Sequence, residues 1–185
     1  VPRRVPGLGE LWRGPLPGEV LASRIRGLHG PYHACIARQL AMLCERWGGA
    51  LLLDLHSMPP LPRAQGEPPV TCVVGDRFGV SCSGALVARA FAGLSEAGWN
   101  VAHNRPYAGG YVLDRHADPR ANIHAIQLEI DRAAYLDSRL VERGEGFDAV
   151  VEVLTRVVRD LACDVAALGA RWLAARRDGW GVAAE

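Results

Sequence analysis

Chemistry-bearing side chains gather at four places in this chain. The stretch "LLLDLHSMPP", residues 51–60, ends an apolar run on His56, with Asp54 two residues earlier. Alternate residues of a strand share a face, so Asp54 can orient the imidazole. Asp54 and Ser57 equally suit a turn ahead of Pro59 and Pro60. "AIQLEID" sets Glu129 inside an apolar run. A carboxylate there costs free energy unless it is paired or used, and partial burial raises its pKa into the range of a general base or acid. A salt bridge to Arg105, Arg115 or Arg132 is the competing use. "HNRPYAGGYVLDRH" brings His103, Asn104, Arg105, Tyr107, Arg115 and His116 into one segment with two glycines. Guanidinium forks take carboxylates bidentately, and the glycines let backbone approach a small anion. A solvated loop is the alternative for any single one of these residues. His29 and His33 are four apart, the spacing of two metal ligands on one helix face. Gly30 and Pro31 lie between them, and Pro31 reads as the first helical residue, which leaves His29 outside.

The elements that must position these groups alternate between two periods. Ile36, Leu40, Leu43 and Trp47 recur at helical spacing after a loop-like opening over residues 1–20, and Gly48 and Gly49 stop that helix. "ALLLDLHS" has the length and continuity of a central strand covered on both faces, which would make it the most buried strand. A proline-rich loop follows, then the strand "VTCVVGD" and a helix capped by Ser83, carried by Leu86, Ala90 and Leu94 and ended by Gly98. "WNVAHN" is a short strand, and residues 105–122 form a long loop of the kind that is often functional. "IHAIQLEID" turns His124, Ile126, Leu128 and Ile130 to one face and Gln127, Glu129 and Asp131 to the other. About residues 145–176 make one amphipathic helix. This alternation predicts an α/β fold, three layers with helices on both faces of a mostly parallel sheet, and ligands at the carboxyl ends of its strands.

The bulk numbers exclude some partners. The 185 residues fit one domain over 1–185, and a net charge of +1 suggests neither nucleic acid nor an acidic membrane as partner. All basic residues are arginine. No apolar run is long enough to span a bilayer, and "VPRRVPGLGELW" lacks a signal core. Five scattered cysteines without a C-x-x-C read as buried thiols of a cytoplasmic protein. There is no phosphate-binding loop and no G-x-S-x-G elbow. The Pro/Gly-rich opening, with no element before it, is expected of a chain that is part of a longer protein.

"DLHSMP", "GDRFGVSC", "HNRPYAGGYVLDRH" and "IHAIQLEIDRAAYLD", in that order, resemble the N-formylglutamate amidohydrolase family over residues 31–137. The resemblance implies a fold similar to zinc carboxypeptidases and aspartoacylase (phosphorylase/hydrolase-like). It implies hydrolysis of N-formyl-L-glutamate, or of a similar small N-acyl amino acid, to formate and glutamate, a step of histidine breakdown. It also implies one Zn2+ site with His56 as the later ligand, Glu129 as catalytic base, and loop arginines with Asn104 clamping the substrate carboxylates. The family's first metal ligands lie in an upstream Pro-His-Ser-Gly segment, which these residues do not contain. The expected domain therefore lacks its N-terminal part, and the zinc site is expected to be incomplete. The competing expectation is a non-catalytic member that packs its C-terminal helix on a partner; an oligomer is compatible with either.

Overall fold

The computed structural model describes residues 4–5, 9–12, 14–63 and 65–181. The chain divides into two compact units, residues 1–39 and 40–185. In the first, strands β1 (Arg4–Val5) and β2 (Gly9–Glu10) pair antiparallel. Helix α1 (Gly18–Arg24) leads into a π-helical turn, Ile25–His29, and on into α2 (Gly30–Trp47), within which the unit boundary falls. α2 thus begins one residue before Pro31, but the helical run reaches back through the π turn to Gly18, and residues 18–20 are not loop. The wide turn gives the reason: proline lacks an N–H and clashes with the carbonyl one turn back, and a π turn relieves both. His29 consequently lies inside the helical run, its ring centroid 4.3 Å from that of His33.

The second unit holds a four-stranded sheet in the order β3 (Ala50–Met58), β6 (Ile123–Asp131), β4 (Cys72–Gly75), β5 (Val101–His103). β3 runs parallel to β6 and β4 parallel to β5; the two pairs meet antiparallel between β4 and β6. The fold is therefore α/β, with a mixed, mostly parallel sheet flanked by helices. α3 (Gly84–Glu96) and α5 (Phe147–Gly181) build the core against one face. Leu86 and Leu94 of α3, Val157 and Leu161 of α5, and Ile126, Leu128 and Ile130 of β6 form one buried cluster. Ser83 caps α3, its hydroxyl accepting from the Leu86 N–H.

β3 departs from the sequence reading: among the described residues it is an edge strand, and β4 and β6 are the buried ones. A run of leucines reports how much apolar surface needs cover, not whether strand, helix or another chain covers it. At the start of β3 the chain passes tightly under α5. Gly48 adopts φ +75°, and a side chain at either Gly48 or Gly169 would collide with the other segment's backbone.

The loop expected over residues 105–122 is partly helical, with α4 (Tyr111–His116) and a 3-10 turn at Pro119–Ala121. α4 packs on β6 and β3 and buries Leu113 and His116. All five cysteines are free thiols. No helix among the described residues is long and apolar enough to cross a membrane.

Candidate functional site

Parallel pairing of β3 with β6 sets His56 directly beside Glu129, and Asp54 beside Gln127. Paired residues share a face, so these four side chains project from the sheet surface opposite the α3/α5 core. Glu129 Oε1 accepts a hydrogen bond from the Gln127 amide at 2.8 Å and lies 3.6 Å from His56 Nδ1. His56 Nε2 lies 3.1 Å from Asp54 Oδ1. The imidazole thus stands between two carboxylates.

Exposure separates their roles. The Glu129 side chain is 9% exposed and that of His56 46%. Burial pushes the Glu129 carboxyl above its ordinary pKa; the imidazole of His56 opposes the shift and Asp54 adds to it. A carboxyl displaced upward by burial, beside a solvent-reaching imidazole, is suited to take up and return a proton.

The segment after β5 folds back over this face. Gly75 pairs with Gln127, and a Cβ at Gly75 would meet the Ala108 carbonyl carbon at 2.7 Å and the Gly109 nitrogen at 2.8 Å. Only glycine lets the loop lie this close to the strand. Arg77 ties the loop down from the side: Nε donates to Asp114 Oδ1 at 2.6 Å and Nη1 to the Gly109 carbonyl at 3.3 Å.

The other expected site residues separate into two kinds. Asn104 is buried, with φ 58°, and both ends of its amide are committed. Its Oδ1 accepts from the Asp76 N–H at 3.0 Å and its Nδ2 donates to Asp76 Oδ1 at 2.7 Å, so it shapes the loop from behind. Arg105, Tyr107, Arg115 and His116 follow in the segment that returns over the sheet. Arg105 is exposed and makes no hydrogen bond or ion pair among the described residues. Arg115 donates to the Tyr111 hydroxyl at 2.9 Å and lies over its ring. His116 is buried.

Sequence reasoning passed over Gln127 and Asp76. Gln127 was legible, because it precedes Glu129 by two residues in a strand. Asp76 was not, because its partners Asn104 and His103 lie 28 and 27 residues away.

Metal binding can be tested against the donor set. Both nitrogens of His56 face carboxylates of the chain itself. No group of three or more His, Cys, Asp or Glu side chains among the described residues could hold a metal ion, the His29/His33 pair included. The described residues therefore do not fit a zinc centre on their own.

The fold is that of an α/β protein with an acid–imidazole pair at the carboxyl ends of two parallel strands. The N-formylglutamate amidohydrolase family model matches residues 1–136, and the chain belongs to that family. It is 34% identical over 111 residues to the N-formylglutamate deformylase of Pseudomonas aeruginosa, covering 59% of this chain and 42% of the relative. It is 31% identical over 122 residues to that of Pseudomonas putida, covering 65% and 46%. The chain thus spans less than half the length of these curated relatives. The crystal structure of an N-formylglutamate amidohydrolase from Ralstonia eutropha JMP134 superimposes with a TM-score of 0.74 at 30% identity, over 88% of this chain and 59% of that one. A gene product of Agrobacterium tumefaciens shares the fold, with a TM-score of 0.65 at 18% identity, over 89% of this chain and 61% of that one.

Proposed function

We propose that this chain carries the proton-transfer half of an amidohydrolase site that cleaves N-formyl-L-glutamate, or a closely similar N-acyl amino acid, in the cytoplasm as a step of histidine breakdown. The observation that carries the reading is the buried Glu129 carboxylate held 3.6 Å from the imidazole of His56, in a chain of this family. Glu129 accepts a proton from the attacking water, whose oxygen bonds to the formyl carbon. The carbon–nitrogen bond then breaks, Glu129 returns the proton to the departing amine, and formate and glutamate leave. His56, oriented by Asp54, stands beside the Glu129 carboxylate while that proton is in transit. Arg105 and Arg115 take the two substrate carboxylates, with Tyr107 and His116 alongside them and Asn104 setting the loop's shape. Zinc enters this reading, with His56 as one ligand, only with donors beyond the described residues.

The test is formate release from N-formyl-L-glutamate, with N-acetyl- and N-succinyl-L-glutamate in parallel. Turnover of the formyl substrate above the other two supports the assignment. Turnover of none, by a folded chain, points instead to a non-catalytic family member.

A further inference from the structure

We propose that Arg77 is a positioning residue for a substrate with two carboxylates: its guanidinium neutralises Asp114 and so leaves Arg105 and Arg115 free for that substrate. The inference rests on the proposed function, which gives those two arginines the substrate carboxylates. From Arg105 to His116 the chain carries two arginines and a single acid, Asp114. Asp114 is 47% exposed and directly precedes Arg115 in α4. Neighbours in a helix do not face each other, but exposed charges act over roughly 8 Å at physiological ionic strength. An unpaired Asp114 would offset part of the positive potential that the loop presents, and would offer either arginine a partner within the chain. Arg77 removes that competitor. Its Nε donates to Asp114 Oδ1 at 2.6 Å, a short charge-assisted contact. Arg105 and Arg115 have no carboxylate partner among the described residues.

The turn that carries Arg77 is held in an uncommon shape. Arg77 and Phe78 adopt left-handed conformations, φ 54° and 56°, which residues other than glycine, asparagine and aspartate seldom take. Three hydrogen bonds hold them there. Asn104 Oδ1 accepts from the Asp76 N–H at 3.0 Å and from the Phe78 N–H at 3.5 Å. The Arg77 N–H donates to the Ala108 carbonyl at 2.9 Å. The guanidinium then reaches both the Gly109 carbonyl and Asp114, and so spans from the loop to α4. Asp76, the other acid of the turn, does not compete for the loop arginines. It is 4% exposed and is already engaged by Asn104 and His103.

The test follows KM and kcat for N-formyl-L-glutamate together with calorimetric binding of L-glutamate, which carries the same two carboxylates; urea midpoints establish that each variant is folded. Arg77→Met keeps an unbranched stem and the same backbone demand, but uncovers the Asp114 charge. It should raise KM and the L-glutamate Kd roughly three- to tenfold, with kcat within about twofold of the parent. Asp114→Asn breaks the same salt bridge, yet should leave both constants at the parent values or below them. Combining the two substitutions should return binding to within about twofold of the parent. Arg77→Lys, which keeps the charge, should recover most of the loss. A contact that merely braced the loop would behave otherwise: Arg77→Met and Asp114→Asn would weaken binding alike, and the double variant would not recover. Either of those results overturns the proposal, as does an Arg77→Met variant whose KM and Kd do not move. A folded parent chain that neither turns over N-formyl-L-glutamate nor binds L-glutamate overturns the proposed function and this inference with it, so the two failures are told apart.

Discussion

Two Asp–His pairs in this molecule share the same separation and nearly the same imidazole exposure, 46% at His56 and 45% at His103, and differ in what surrounds them. His56 Nε2 lies 3.1 Å from Asp54, and His103 Nε2 lies 3.1 Å from Asp76. Asp76 is 4% exposed, and the oxygen that meets His103 also accepts from Asn104. His103 is further held edge-on against Phe91, centroids 5.2 Å apart. That pair is fastened into the turn between β4 and the returning loop, where Arg77, Phe78 and Gly79 all adopt left-handed conformations. Asp54 is less buried, at 18%, and its imidazole partner faces a third group, Glu129, whose proton affinity burial has raised. An acid–imidazole distance alone therefore does not mark a site. What sets the proposed site apart is a third titratable group, Glu129, beside the imidazole and displaced from its ordinary behaviour by burial.

Substitutions at the two pairs should break apart accordingly. The largest effect is expected from Glu129→Gln, which should lower kcat for formate release about 10² to 10⁴-fold, as loss of a general base does, with far-UV circular dichroism unchanged. His103→Gln should leave kcat close to the parent value. Asp76→Ala should act through stability instead. It leaves the buried Asn104 Nδ2 without its acceptor and should cost about 1–3 kcal/mol in urea unfolding. Asp54→Ala should cost less than half of that, because Asp54 is the more exposed partner. Arg105→Ala should raise KM roughly tenfold with little change in kcat, the loss of one charge-assisted contact to a substrate carboxylate.

The smallest expected effect is a linkage effect on thermal stability. A carboxyl whose pKa is raised in the folded state favours folding while protonated, and that stability is lost as pH rises from the unfolded value towards the folded one. Glu129→Gln, neutral throughout, should therefore raise Tm at pH 7.5 relative to the parent and change it little at pH 4. A Tm gain that is equal at both pH values would detach the effect from ionisation.

Much of this arrangement was legible in the chain itself. The two-residue period of "IHAIQLEID" set Glu129 and Gln127 apart from Ile126 and Leu128, and the structure separates them the same way. "DLH" set Asp54 beside His56 for the same reason. Pairing was not legible. Nothing local to "ALLLDLHS" says that its only described neighbour is β6, since strand order is decided by contacts far apart in sequence. Nor did the glycine and proline content of residues 105–122 disclose α4, whose Leu113 and His116 find their burial only against the sheet. The start of α2 at Pro31 was legible to within one residue, but not the helical run before it, which a π turn joins to α2.

The direct test of the Glu129–His56 pairing is the pH dependence of kcat/KM for formate release, compared between the parent chain, His56→Gln and His103→Gln. The account predicts an acid limb above the ordinary glutamate value of 4.5, because Glu129 is buried, and a further upward move in His56→Gln, because the imidazole that holds the pKa down is gone. His103→Gln should leave the limb where it stands. An acid limb at the ordinary glutamate value, unmoved in His56→Gln, would contradict it.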